Sequence, residues 1–268
     1  MYIKSNFMPV ELFENEFSRL SNKDFSFFFD YRPSEAELKI NAINIFAHAE
    51  PNEYFGNHTW IEQNAHHFST IFTWNERIVR KFANAKLVLF GHTWIDDMAS
   101  MVIEPSKKQF GISFIRGEKL AACGHLLRHQ VFSRLDEVII PTKFLAKTDM
   151  STFDMLKAEK LKAHNDMMFS LVIENTSHNN YFSEKILDAM VCKAVPIYWG
   201  CTNVGEYLDD RGIIHVRSDD EIINVINKLT PEDYYGRIDA INKNYATAIE
   251  YGRYETRVRR EIEKLIAL

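Results

Sequence analysis

The sequence predicts an α/β fold of parallel, doubly wound sheets, arranged as two halves. Short apolar runs of strand length alternate with helical patterns over most of the chain, the signature of strands joined by helical crossovers. The polar, turn-rich stretch from Met98 to Lys108, which carries Glu104-Pro105-Ser106-Lys107-Lys108, breaks that rhythm and divides the chain into 1–105 and 106–268. A length of 268 residues suffices for one large domain or two small ones.

In the first half, Phe25–Phe29, Ile43–Ala47 and Ser69–Thr73 read as strands. Asn75 caps a helix running through Phe82, and Lys86–Phe90 is the next strand. In the second half, Phe110–Ile115 reads as a strand and Leu120 to Arg134 as a helix. Val138–Ile140, Met168–Ile173, Val195–Trp199 and Gly212–Val216 continue the series of strands. Ser218-Asp219-Asp220-Glu221 has the capping-box pattern that opens a helix, and the pattern stays helical to Leu268, with Pro231 near a second start.

Bulk properties narrow the function. A net charge of −5 excludes nucleic-acid binding driven by a basic surface. No apolar run is long enough to cross a bilayer, and the first residues lack the apolar core of a secretory signal. The odd set Cys123, Cys192 and Cys201 has no C-x-x-C spacing. It is expected as buried, free thiols in a reducing compartment, so the location expected is cytoplasmic and the protein soluble.

The most informative stretch is Ile173 to Lys185. An apolar strand runs into a polar loop, and the helix that follows starts at Ser183, a good N-cap, with Lys185 in its first turn. The helix dipole disfavours a cation there, unless an anion is also held, and phosphate is the usual candidate. Carboxylates, amides, an aromatic ring and a lysine in one loop suit a nucleotide, although the same Asn, Ser and Thr residues are ordinary turn formers. Arg128 reads either as a surface arginine or as a bidentate phosphate ligand. Glu50, held after a strand by Pro51, reads as a general base or a loop glutamate, with Glu53 its neighbour. No H-E-x-x-H, Cys/His cluster, D-x-D, G-x-G-x-x-G, Walker or G-x-S-x-G pattern occurs, so no metal site is expected.

Glu174-Asn175-Thr176, then Asn180-Tyr181-Phe182-Ser183-Glu184-Lys185-Ile186, then Val195-Pro196-Ile197-Tyr198-Trp199-Gly200 together resemble the α-1,3-fucosyltransferase motif of family 10 glycosyltransferases. That motif runs F-E-N-S, a spacer, Y-x-T/S-E-K, an apolar helix, V-P-V/I and a glycine. Phe68–Trp74 with Phe90–Ile95 is similar to the family's N-terminal half, and Lys108–Phe114 to the start of its donor half. The resemblance implies a GT-B fold, two Rossmann-like halves facing a cleft with C-terminal helices, the last of which cross back to the first half. It implies inverting transfer of fucose from GDP-fucose to a glycan hydroxyl, with no cofactor and no essential metal. Carried over by position, Asn175, Tyr181, Glu184 and Lys185 would contact GDP-fucose, Glu184 at ribose or sugar hydroxyls and Lys185 at the diphosphate. Arg128 matches the family's phosphate-binding arginine, with Arg116 as rival, and Glu50 its base, with Glu53 as fallback. Thr176, Asn180 and Lys193 depart from the motif; Lys193 replaces a glycine common before V-P and implies an altered turn. A different nucleotide-sugar donor, or a non-catalytic nucleotide-sugar or glycan-binding module, are the alternatives.

Overall fold

The computed structural model describes residues 1–146 and 153–266. They form two compact units, Met1–Phe90 with Arg253–Leu268, and Gly91–Gly252. The break therefore falls earlier than 105/106, and the last helix belongs to the first unit. Local bonding accounts for the shift. Thr93 Oγ1 and Trp94 N both donate to Asp188 Oδ1, at 2.7 and 2.9 Å, and Thr93 N donates to Gly252 O, so the chain from Gly91 on is tied into the second unit.

The first unit holds a parallel sheet of β1 (Tyr2–Ser5), β2 (Phe25–Phe29), β3 (Ile43–His48), β4 (Thr70–Thr73) and β5 (Ala85–Leu87), in simple chain order. The order never reverses, so this sheet lacks the switch point expected of a doubly wound one. Every residue of β2 is buried, because both faces of the strand are covered. Phe25, Phe27 and Phe29 pack on Phe13 and Phe17, which stand four residues apart on one face of the helix Val10–Phe17. Phe28 turns the other way, against Tyr31 and Phe68.

The helix Tyr254–Ile266 closes the Phe13 face. Its Tyr254 ring lies 5.3 Å from Phe90 and 5.6 Å from Phe29, Arg257 donates to Leu89 O at 2.8 Å, and Arg259 Nε to Glu16 Oε1 at 2.7 Å. Burying such rings contributes about 2–3 kcal/mol each.

The second unit holds β6 (Gln109–Arg116), β7 (Thr142–Ala146), β8 (Met167–Ile173), β9 (Val195–Trp199) and β10 (Ile214–His215), all parallel, in the order β10-β9-β8-β6-β7. Here the order does reverse, between β6 and β8. The helix expected over Leu120–Arg134 is confined to Cys123–Phe132. Val138–Ile140 is not a strand: Pro141 lacks an N–H and offers its carbonyl to Ile112 N, and β7 starts only after it. Cys192 and Cys201 are buried free thiols, but Cys123, first residue of its helix, is exposed. Lys193 keeps the turn that glycine would make, with φ 56°, and its ammonium reaches Glu104 and the Tyr245 ring. No helix among the described residues is long and apolar enough to cross a membrane.

Candidate functional site

Ligands of open α/β sheets bind at the carboxyl ends of the strands where the strand order reverses. In the second unit that place is the end of β6 and β8, where the helices Cys123–Phe132 and Glu184–Val191 begin. The first helix starts against the β8 end because residue 124 has no side chain: a Cβ on Gly124 would lie 1.8 Å from Glu174 O. Gly124 N donates to Asn175 O at 3.0 Å. Gly124→Ala must push the helix off the strand end, and overpacking of this kind costs about 1–3 kcal/mol or more. A lower melting temperature is the expected outcome, read by thermal denaturation.

One turn further on, Arg128 is buried. Its Nε donates to Ile173 O at 3.0 Å and its Nη2 to Asn175 Oδ1 at 2.9 Å. Arg128 thus joins the loop that the sequence singled out. Arg116, at the end of β6, instead lies over the Phe132 ring and bonds His129. His125 is close to Arg128 and Lys185 and hydrogen-bonds the Asn175 side chain of the loop. Its Nδ1 accepts from Ala122 N at 3.1 Å, so the ring proton is on Nε2. Burial first, then the charges of Arg128, Lys185 and Lys119, push His125 down to about 4, which keeps it neutral.

The loop's first carboxylate, Glu174, is fully buried and holds the second helix: it accepts from Ser183 N at 2.9 Å and Ser183 Oγ at 2.6 Å. Ser183 Oγ in turn caps the helix by accepting from Lys185 N. Gly200 leaves room for this, since a Cβ there would meet Glu174 Cγ and Tyr198 OH at 2.5 Å. The anions beside Lys185 are the protein's own. Its Nζ lies 3.3 Å from Glu184 Oε1 and 3.6 Å from Glu174 Oε2.

Lys160, from the helix Phe153–His164, adds a second cation, 3.3 Å from Glu184 and 2.8 Å from Asp188. Burial raises the Glu174 carboxyl, against the pull of Lys185. Burial would raise Glu184 too, but Lys185 and Lys160 outweigh it and hold it ionised. Tyr181 is buried at 2 % exposure and lies near Arg128. Arg128, Asn175, Tyr181, Glu184 and Lys185 thus form one cluster at two helix N-termini, a geometry that favours a bound anion.

Glu50 belongs to the first unit, just past β3, and is half-buried, whereas Glu53 is exposed in the short helix Asn52–Phe55. Behind it lies Asp30, buried completely, with φ 46°. Asp30 Oδ2 accepts from Ala49 N at 3.1 Å and Glu50 N at 2.8 Å, and Oδ1 from Asn57 Nδ2 at 2.9 Å. Burial, then the charge of Glu50, push Asp30 up to about 8. Among the described residues no group of His, Cys, Asp and Glu is arranged to hold a metal ion.

Buried histidines make acid stability predictable. Burial pushes His48 and His164 down to about 3, and His125 to about 4. As pH falls below the ordinary histidine value of about 6.5, the unfolded chain takes up protons that the folded one refuses, so stability declines. A melting temperature that drops steadily from pH ~6.5 toward ~4 is expected, with a shallower slope in His164→Gln.

Residues 120–246 match the family model described as glycosyltransferase family 10 (fucosyltransferase), C-terminal. The match contains Arg128 and the whole Glu174–Lys185 loop. Over 64 residues the chain is 36 % identical to the α-(1,3)-fucosyltransferase FucT of Helicobacter pylori, a stretch that is 23 % of this chain and 13 % of that protein. A crystal structure of an α1,3-fucosyltransferase superposes with a TM-score of 0.58 at 15 % identity, covering 96 % of this chain and 89 % of the other. Its counterpart with GDP-fucose gives 0.53 at 15 % identity, over 88 % and 78 %. The Anabaena protein HepE with UDP-glucose gives 0.55 at 10 % identity, over 97 % and 82 %. These likenesses establish the GT-B fold. Within the matched segment, sequence reasoning passed over His125, Lys160 and Asp188, and left Glu174 without a role. Lys160 and Asp188 have partners distant in the chain, and Glu174, first in the polar loop, carried a local signal.

Proposed function

We propose that the chain is an inverting, metal-independent glycosyltransferase that moves fucose from GDP-fucose to a glycan hydroxyl. The observation that carries this is the cluster of Arg128, Asn175, Glu184 and Lys185 at two helix N-termini, on the switch point of a family 10 domain. Lys185 and the capped helix start hold the diphosphate, Arg128 adds its charge and orients Asn175, and Glu184 takes ribose or sugar hydroxyls. Tyr181 packs beneath the donor. Glu50 removes the proton from the acceptor hydroxyl as that oxygen attacks the anomeric carbon. The bond from that carbon to the β-phosphate oxygen breaks, and GDP leaves with its charge stabilised by the cations. A cytoplasmic location fits the three free thiols.

A thermal-shift panel of nucleotides and nucleotide sugars tests the donor. Stabilisation by GDP and GDP-fucose is the expected result, with turnover on oligosaccharides that carry a free 3-hydroxyl. Stabilisation by UDP-glucose alone, or by no nucleotide, overturns the reading.

A further inference from the structure

The backbone around Glu50 is held in an unusual way. β3 has ended, so the peptide groups of Ala49 and Glu50 have no ladder partner. Each of their four polar groups nonetheless has a buried side chain on it. Asp30 Oδ2 takes both N–H groups, at 3.1 and 2.8 Å. Trp74 Nε1 donates to Ala49 O at 2.9 Å. His48 Nε2 lies 2.9 Å from Glu50 O; a carbonyl only accepts, so the ring proton is on Nε2, and Nδ1 accepts from Thr73 Oγ1 at 2.8 Å. The three side chains come from the ends of three adjacent strands, β2, β3 and β4.

Asp30 adopts φ 46°, a left-handed conformation that few residues other than glycine take up. Its other oxygen is fixed by Asn57, whose own Oδ1 accepts from Arg32 Nε at 3.0 Å. A loop that needed only to turn would leave these groups to water. Here strain and buried polar groups are concentrated on two peptide units, and the half-buried side chain that they carry is that of Glu50.

We propose that Asp30, His48 and Trp74 are positioning residues that hold the Glu50 carboxylate in place for proton removal. This rests on Glu50 being the base. Trp74→Phe removes one donor and keeps the ring; Asp30→Ala removes both acceptor contacts; Asp30→Asn keeps one oxygen that can serve them. Each is measured in the parent and in Glu50→Gln, by kcat and KM for GDP-fucose, GDP affinity and melting temperature.

Trp74→Phe and Asp30→Ala should lower kcat by about 10- to 100-fold, the scale of a misplacement near 1 Å, with KM for GDP-fucose unchanged and Asp30→Asn largely restoring the rate. In Glu50→Gln the same changes should leave the residual rate within about twofold, because they act through the missing carboxylate. Parent kcat in folded Trp74→Phe and Asp30→Ala, beside an inactive Glu50→Gln, overturns the positioning role and leaves the base intact. Equal losses in both backgrounds overturn it as well. A Glu50→Gln variant at the parent rate removes the base and the positioning role together. If Asp30→Ala fails to fold, Trp74→Phe decides.

Discussion

Glu50→Gln should lose about 100- to 10,000-fold in transfer rate, the span usual for removing a general base, while GDP affinity should stay at the parent value. Glutamine keeps the shape and the backbone bonds to Asp30, His48 and Trp74 but cannot take the acceptor's proton. The nucleotide contacts proposed above all belong to the second unit, so titration calorimetry with GDP should not register the change. Steady-state kinetics with GDP-fucose and a 3-hydroxyl acceptor checks the rate. A near-parent rate would move the base elsewhere, first to Glu53 in the neighbouring helix.

Lys185→Ala is the second large effect. Removing one group that stabilises the leaving phosphate typically costs about 3–4 kcal/mol, or 10²–10³ in kcat, and GDP binding should weaken with it. A further cost follows from Glu174. That carboxylate is fully buried, and Lys185 is the cation beside it, so the alanine variant should also melt at a lower temperature. The calorimetric Kd for GDP, taken well below the melting range, separates lost binding from lost stability. Parent affinity in the folded variant would mean that Lys185 serves the fold and not the donor.

Much of the fold was readable because its signals are local. β2 is five apolar or small residues in a row, and β8 and β9 are apolar runs bounded by turn residues. β1 was missed because only Ile3 of its four residues is buried, which leaves almost no pattern to see. β7 was misplaced because the β-branched run before Pro141 looks more like a strand than Thr142-Lys143 does. Ile139 is 79 % exposed, so hydrophobicity there did not report burial.

The site divides in the same way. Asn175, Ser183, Glu184 and Lys185 stand within one short segment of the chain and could be read together. Lys160 meets Glu184 from 24 positions away, and Asp30 meets Glu50 from 20, so neither pairing leaves a trace in the local sequence. Asp30 did carry one clue, since a carboxylate just past the carboxyl end of a parallel strand is a position worth inspecting in any α/β chain.

The return of Tyr254–Ile266 to the first sheet has a consequence for synthesis. The first unit is discontinuous, and the second is in effect inserted between Phe90 and Arg253. On the ribosome, residues 91–252 are complete while the Phe13 face still lacks the helix that covers it. The inserted unit can therefore fold first, and the earlier-made one must wait, with Phe29 and Phe90 uncovered, for a segment made after it. The nascent chain is most exposed to aggregation and to chaperone capture in that interval.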